Sequence, residues 1–201
     1  MNKNRLEAFS DGVFAIVITL MVFEIKVPHI PVNELNQKLY ALFPKFLSFA
    51  LSFIIIGVYW VSHHNMMHYI AKIDRSALWL NMMVLFAVCI IPFPTALMGD
   101  YPFTPTPIIF YGATLAFTNL AGAFFWIYCT KRNNLKVENL NPAFTKRAAI
   151  LHMSPILFYL TAIGISFLSP WISYAIFLFV PLFFIIPNPF LKRMFNDAFL
   201  N

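Results

Sequence analysis

The sequence predicts an all-α membrane protein with six transmembrane helices. Three observations carry this. The 201-residue chain is 60% hydrophobic and only 11% charged, whereas a soluble domain carries about a quarter charged residues. Its mean hydropathy is +0.74, and 24 phenylalanines outnumber the 14 Lys and Arg and the 8 Asp and Glu. The apolar residues gather in six runs on the scale of a hydrocarbon core of roughly 30 Å, bounded by prolines and charges. So few charges cannot clothe the chain in water, so the lipid bilayer is its predicted solvent.

The first span runs from about Phe9 to Ile25. Arg5, Glu7 and Asp11 interrupt the approach to the apolar run Val13 to Phe23, and no Ala-x-Ala-like site follows, so the segment reads as a retained helix and not a signal peptide. Pro28, Pro31 and Asn33-Glu34 mark the loop after it. The second span covers Phe46 to Val61, in a helix extending toward His64. The third covers Ala77 to Leu97, with Pro92 and Pro94 expected to kink or end it. Asp100, Pro102, Pro105 and Pro107 break the chain before the fourth, Ile108 to Tyr128. Lys131 to Arg147 is the longest polar stretch. The fifth, Ala148 to Leu168, and the short sixth, Trp171 to Ile186, are separated by Ser169 and Pro170, a tight hairpin.

The basic residues predict topology. With the N-terminus inside, Lys3, Arg5, Lys72, Arg75, Lys131, Arg132, Lys136, Lys146, Arg147, Lys192 and Arg193 lie inside, and Lys26, Lys38 and Lys45 outside. That asymmetry places both termini in the cytoplasm, with the cell membrane as location. An odd number of spans would part the two basic termini. Residues 1–201 therefore read as a single six-helix transmembrane domain.

The same composition narrows the function classes. An isoelectric point near 9.4 on so few charges is topology, not nucleic-acid binding. No glycine-rich phosphate loop or paired zinc motif is visible, so no cofactor or metal is predicted. Cys89 and Cys129 lie in apolar spans and read as buried free thiols. Trp60, Trp79, Trp126 and Trp171, with Tyr69, Tyr101, Tyr128 and Tyr159, lie mostly near span ends and read as an aromatic belt.

Polar groups inside the spans are the candidate functional residues, because intramembrane ionisable groups are usually paired. Ser10-Asp11-Gly12 opens the first helix. Arg5 and Asp11 are six apart and do not stack as an i,i+4 pair, so each is expected to reach another helix. Asp11 has two readings, an anchor at the inner interface or a contact for an ion. Ile16, Leu20 and Phe23 share one face at i, i+4, i+7, with Thr19 beside it. In isolation such a stripe reads as packing, and such a Thr as a group bonded to its own backbone. His63 and His64 close the second helix at the level of Asp11, and one of them is expected to join Asp11 or Arg5. Asn81 is a candidate for helix–helix hydrogen bonding. His64 and His68 are i, i+4, but no Glu lies between them as in a metalloprotease helix.

The run RLEAFSDGVFAI resembles the RxxxFSDG motif that opens the prokaryotic relatives of the endolysosomal potassium channel, the transmembrane-175 family. Arg5, Phe9, Ser10, Asp11 and Gly12 match it, as do Phe14-Ala15-Ile16, Thr19-Leu20 and Glu24-Ile25, and later Trp60 with His63-His64. The resemblance implies a weakly discriminating, potassium-favouring cation channel. It implies a homotetramer of six-helix subunits in a lipid bilayer, with four first helices around a central pore. No reentrant-loop filter is implied, and no TVGYG run occurs here. By position, the pore constriction falls on Ile16 and continues through Leu20 and Phe23. Thr19 matches a position linked to selectivity. Arg5, Ser10, Asp11, His63 and His64 match a polar network that holds the first helix. Phe23 departs from the leucine or other aliphatic residue expected there; four phenyl rings would either narrow the extracellular end or rotate aside. An ion- or proton-coupled secondary transporter is the alternative, with His63 or Asp11 carrying protons. An intramembrane enzyme would need a nucleophile or metal triad that the sequence does not offer.

Overall fold

The computed structural model describes residues 2–187 and 189–199. Among these, regular structure is helical: α1 Lys3–Leu20, α2 Leu35–Ala41, α3 Phe43–His68, α4 Arg75–Ile90, α5 Pro92–Asp100, α6 Pro105–Lys131, α7 Pro142–Ile165, α8 Pro170–Ile185 and α9 Pro189–Asn196. Five segments are long and apolar enough to cross a membrane: Lys3–Glu24, Phe43–His68, Arg75–Asp100, Pro105–Lys131 and Pro142–Ile165. The sixth apolar helix, α8, has 16 residues, about 24 Å at 1.5 Å per residue, shorter than the hydrocarbon core.

Local chemistry sets the helix ends. Asn2 caps α1 by accepting from the Asn4 N–H at 3.1 Å. The last turn of the first span is not α-helical: Met21–Glu24 winds as a 3₁₀ turn before the Pro28 loop. The third span breaks at Ile91, because Pro92 has no N–H to offer. Ile91 nevertheless stays helical at φ −53°, ψ −39°, so α5 continues from α4 without a reversal. Prolines occupy the first turns of α3, α5, α6, α7 and α8, where the missing N–H carries no penalty.

Two hydrophobic clusters fill the bundle from end to end. One joins Leu6 of α1 with Met67, Phe125, Trp126, Phe144 and Met194. The other joins Phe14 and Val17 with Ile56, Val88, Tyr111 and Phe177. Because Leu6 and Met194 share one cluster, the two ends of the described chain lie at the same end of the bundle. There the α3–α4 turn pairs with the α6–α7 loop, Ala71 N–H donating to Leu135 O at 2.7 Å. Asn141 N–H donates to Ala198 O at 2.9 Å, which ties the C-terminal segment to the same loop. At the opposite end Lys45 pairs with Asp100 at 2.5 Å. Between them Ser52 Oγ bonds Thr95 Oγ1 at 2.7 Å and the Tyr111 hydroxyl at 2.8 Å.

Three expectations change. Trp126 and Tyr159 belong to the core and not to an interfacial belt. Each satisfies its polar atom internally, as the indole of Trp126 does by donating to Thr145 O at 2.9 Å. Cys89 is exposed on the bundle surface, while Cys129 is buried; an apolar span facing lipid exposes thiols as readily as it buries them.

Candidate functional site

The sequence of α1 divides it lengthwise. Leu6, Ser10, Phe14 and Val17 are buried and recur every three or four residues, so they form one stripe. This stripe packs against α3 and α4. The other side is left uncovered by the chain itself: Ile16 is 56% exposed, Leu20 52% and Phe23 70%. Phe23 sits in the 3₁₀ turn, where each residue turns about 120° and not 100°. It is therefore set by a different local geometry from Ile16 and Leu20. Thr19 is exposed on this side, and its hydroxyl donates back to Ala15 O and Ile16 O, at 2.9 and 3.0 Å. The hydroxyl proton is thus engaged, while the oxygen presents its lone pairs outward.

Adjacent residues on α1 hold two different helices. Ser10 Oγ donates to Leu6 O at 2.8 Å and accepts from Asn81 Nδ2 of α4 at 3.1 Å. The Asn81 carbonyl oxygen lies 2.7 Å from His63 Nε2 of α3. With that amide oxygen as acceptor, the imidazole carries its proton on Nε2 and donates. All three side chains are buried. The His63 ring is wedged between Phe14, at 5.7 Å, and Phe125, stacked at 6.2 Å. Asp11, by contrast, is exposed and accepts from Trp60 Nε1 of α3 at 2.9 Å. Trp60 in turn stacks on His64 at 6.0 Å.

Ser10 and His63 are thus brought together, through Asn81. Asp11 meets Trp60 and neither histidine. Arg5 is exposed, and its side chain makes no hydrogen bond or ion pair with a described residue, while its backbone N–H donates to Asn2 O at 3.2 Å. His64 takes part only through the Trp60 ring. Sequence reasoning placed Trp60 in the aromatic belt and missed it as the partner of Asp11. The available signal was that a carboxylate in a spanning helix needs a donor, and an indole N–H lies on the neighbouring helix. A second, half-buried contact also went unseen: Asn119 Nδ2 of α6 donates to the Tyr59 hydroxyl of α3 at 2.7 Å.

Outside the spans, Asp74 caps α4 by accepting from Ala77 N–H at 2.8 Å, and accepts from the Tyr128 hydroxyl at 2.8 Å. The Ala77 N–H chiefly, then the Tyr128 hydroxyl and the Arg132 charge, hold its carboxyl below the ordinary range against partial desolvation. Arg132 lies over the Tyr128 ring at 4.6 Å. This corner fixes the start of α4, and hence the level at which Asn81 meets α1.

The arrangement clamps one side of a helix and leaves an apolar stripe with one hydroxyl facing out. Known proteins share this chain's sequence and shape. Residues 5–92 match the family described as the endosomal/lysosomal potassium channel TMEM175. A potassium channel of Chryseobacterium sp. (strain P1-3) is 33% identical over 202 residues, covering 98% of this chain and 100% of that protein. The human endosomal/lysosomal proton channel TMEM175 is 30% identical over 183 residues, covering 84% of this chain and 36% of that protein. The crystal structure of a lysosomal potassium-selective channel TMEM175 homolog from Chamaesiphon minutus superposes with a TM-score of 0.79 at 32% identity, covering 91% of this chain and 96% of that one.

Proposed function

Because the chain belongs to the TMEM175 family, a family of ion channels and not of enzymes, we propose that it is a potassium-favouring cation leak channel. Four copies assemble around a central pore lined by α1. Each subunit is one channel domain with six crossings, formed by α1, α3, the continuous α4–α5, α6, α7 and α8. It resides in the cell membrane with both termini cytoplasmic, in keeping with the inward bias of its basic residues.

The observation that carries this reading is the uncovered side of α1. A helix clamped by Ser10 and Asp11 yet exposing Ile16 and Leu20 has an unpartnered apolar stripe that four-fold association turns inward. A ring of Ile16 side chains closes the path by excluding water, since an ion entering a dry constriction loses hydration without replacement. Opening needs only enough dilation to rewet it. The Ile16 ring offers no ligands, so it cannot imitate a hydration shell as carbonyl filters do. Potassium, which sheds water at lower cost than sodium, passes more readily. Thr19 oxygens, whose protons are held by the helix backbone, present lone pairs one turn beyond. Leu20 continues the lining, and Phe23 narrows the outer end.

Ion flux in liposomes reconstituted with the purified protein tests the reading. Passive potassium flux exceeding sodium flux is expected. Flux that runs against a gradient and saturates with a coupling ion would replace the channel with a secondary transporter. Correctly assembled protein that passes neither ion, and still passes none when Ile16 is replaced by Asn, would remove the pore altogether.

A further inference from the structure

A crevice of about 620 Å³ opens on the side of the bundle between α3 and the α7–α8 hairpin. That is the size of a small-molecule site, roughly 300–1,000 Å³. Its lips are Phe53, Trp60, Val61 and Ile185, all exposed. Its polarity is graded along its length. Phe53, Gly57 and Phe184 line the part toward the middle of the bundle. Ser62 and Asn65, in the last turns of α3, and His152 of α7 line the part nearer the end that carries the termini. None of these three polar side chains bonds to another described residue, although a polar group at membrane depth needs a partner.

Toward that end, the buried side chains of Phe144, Ala148 and Met194 complete the lining. Exposed cations precede these residues in the chain, outside the lining itself: Lys146 and Arg147 before Ala148 on α7, Lys192 and Arg193 before Met194 on α9. Arg147 is paired with Asp197 at 3.3 Å, and no carboxylate lines the crevice. The order is therefore apolar slot, unpaired hydrogen-bonding groups, then positive charge.

We propose that this crevice binds one anionic phospholipid. An acyl chain lies against Phe53, Gly57 and Phe184, the ester region meets His152 and Asn65, and the phosphate sits among Lys146, Lys192 and Arg193. Charge decides between occupants. A second copy of this chain, with net charge +6, would bring the same basic rim against this one. A zwitterionic lipid would leave the rim unneutralised. Basic pockets between spans at one membrane face attract acidic headgroups. The crevice touches α1 only through Trp60, whose indole holds Asp11, so lipid binding is read directly and not through conduction.

Native mass spectrometry of the delipidated protein, titrated with phosphatidylglycerol or phosphatidylcholine, tests this. An added Cβ at Gly57 meets nothing within 4 Å, so the Cβ of Gly57→Leu has room, its branch occupies the slot that Gly57 lines, and the change favours the helix. Phosphatidylglycerol is expected to bind wild type in preference to phosphatidylcholine. Gly57→Leu is expected to weaken it at least about tenfold with the oligomer intact, and Lys192→Gln with Arg193→Gln to erase the preference for the anionic lipid. Equal binding of the two lipids by wild type, or undiminished phosphatidylglycerol on Gly57→Leu, overturns the proposal. So does loss of the oligomer in Gly57→Leu without loss of lipid, which would make the crevice a seat for protein.

Discussion

Trp60 donates its indole N–H to Asp11 at 2.9 Å across 49 positions of sequence, while Ser10, the neighbour of Asp11, reaches Asn81 of α4. Two consecutive residues thus fasten α1 to two different helices, one bond exposed and one buried. The pair of directions fixes the rotation of α1 about its own axis, and so decides which of its sides remains uncovered.

Asp11→Asn keeps an acceptor for the indole and is expected to assemble like wild type. Asp11→Ala and Trp60→Phe each remove the bond and are expected to lose about 1 kcal/mol of stability, with less oligomer recovered. Size-exclusion chromatography after purification in mild detergent reads the outcome. Equal recovery for all three would make the bond incidental.

Asn81→Leu strands the His63 N–H in a buried site and is expected to cost about 1–3 kcal/mol. Ser10→Ala removes one bond while Asn81 keeps His63, with a loss of about 0.6 kcal/mol expected. Denaturant unfolding in detergent micelles measures both. A Ser10→Ala loss as large as that of Asn81→Leu would contradict the order of the network.

Ile16→Asn hydrates the proposed constriction and is expected to raise potassium flux severalfold and reduce discrimination against sodium. Liposome flux under paired gradients is the measurement. Unchanged flux would move the narrow point away from Ile16.

Gly112 admits no side chain: an added Cβ would lie 2.8 Å from Ile163 Cγ1. Gly112→Ala is expected to destabilise the α6–α7 packing by about 1–3 kcal/mol. On the same helix Gly122 has open space, and Gly122→Ala is expected to be neutral or stabilising by up to about 1 kcal/mol. Thermal denaturation of the two variants side by side would expose an inverted order.

Asp74→Ala removes the α4 cap and is expected to cost about 1 kcal/mol near neutral pH. Because the folded carboxyl titrates below its ordinary range, its contribution is complete above the unfolded value of about 3.9 and is lost as pH falls through the lower folded one. The gap between wild type and Asp74→Ala should therefore close only below about pH 4. A gap that closes between pH 5 and 7 would point to another group.

The existence of α3, α6 and α7 as spans was legible because apolar length, proline and charge are local quantities, although α7 starts at Pro142, inside the stretch read as polar, and ends at Ile165. The break at Ile91 was legible in Pro92 for the same reason. The burial of Trp126 and Tyr159 was not, since hydropathy does not distinguish an aromatic ring facing lipid from one facing a neighbouring helix. The 3₁₀ winding under Phe23 also escaped, because an i, i+4, i+7 pattern presumes the regular α period it is used to infer.

At the candidate site the division is the same. Residue identity alone marked Ser10, Asp11, His63 and Asn81 as groups needing partners, because an unsatisfied polar atom in a bilayer is unfavourable wherever it sits. Which partner each takes was decided by how α1, α3 and α4 cross. Residues 18, 49 and 71 positions apart meet within 3.1 Å, and that meeting depends on the rotation and depth of each helix, which packing sets and no single helix encodes.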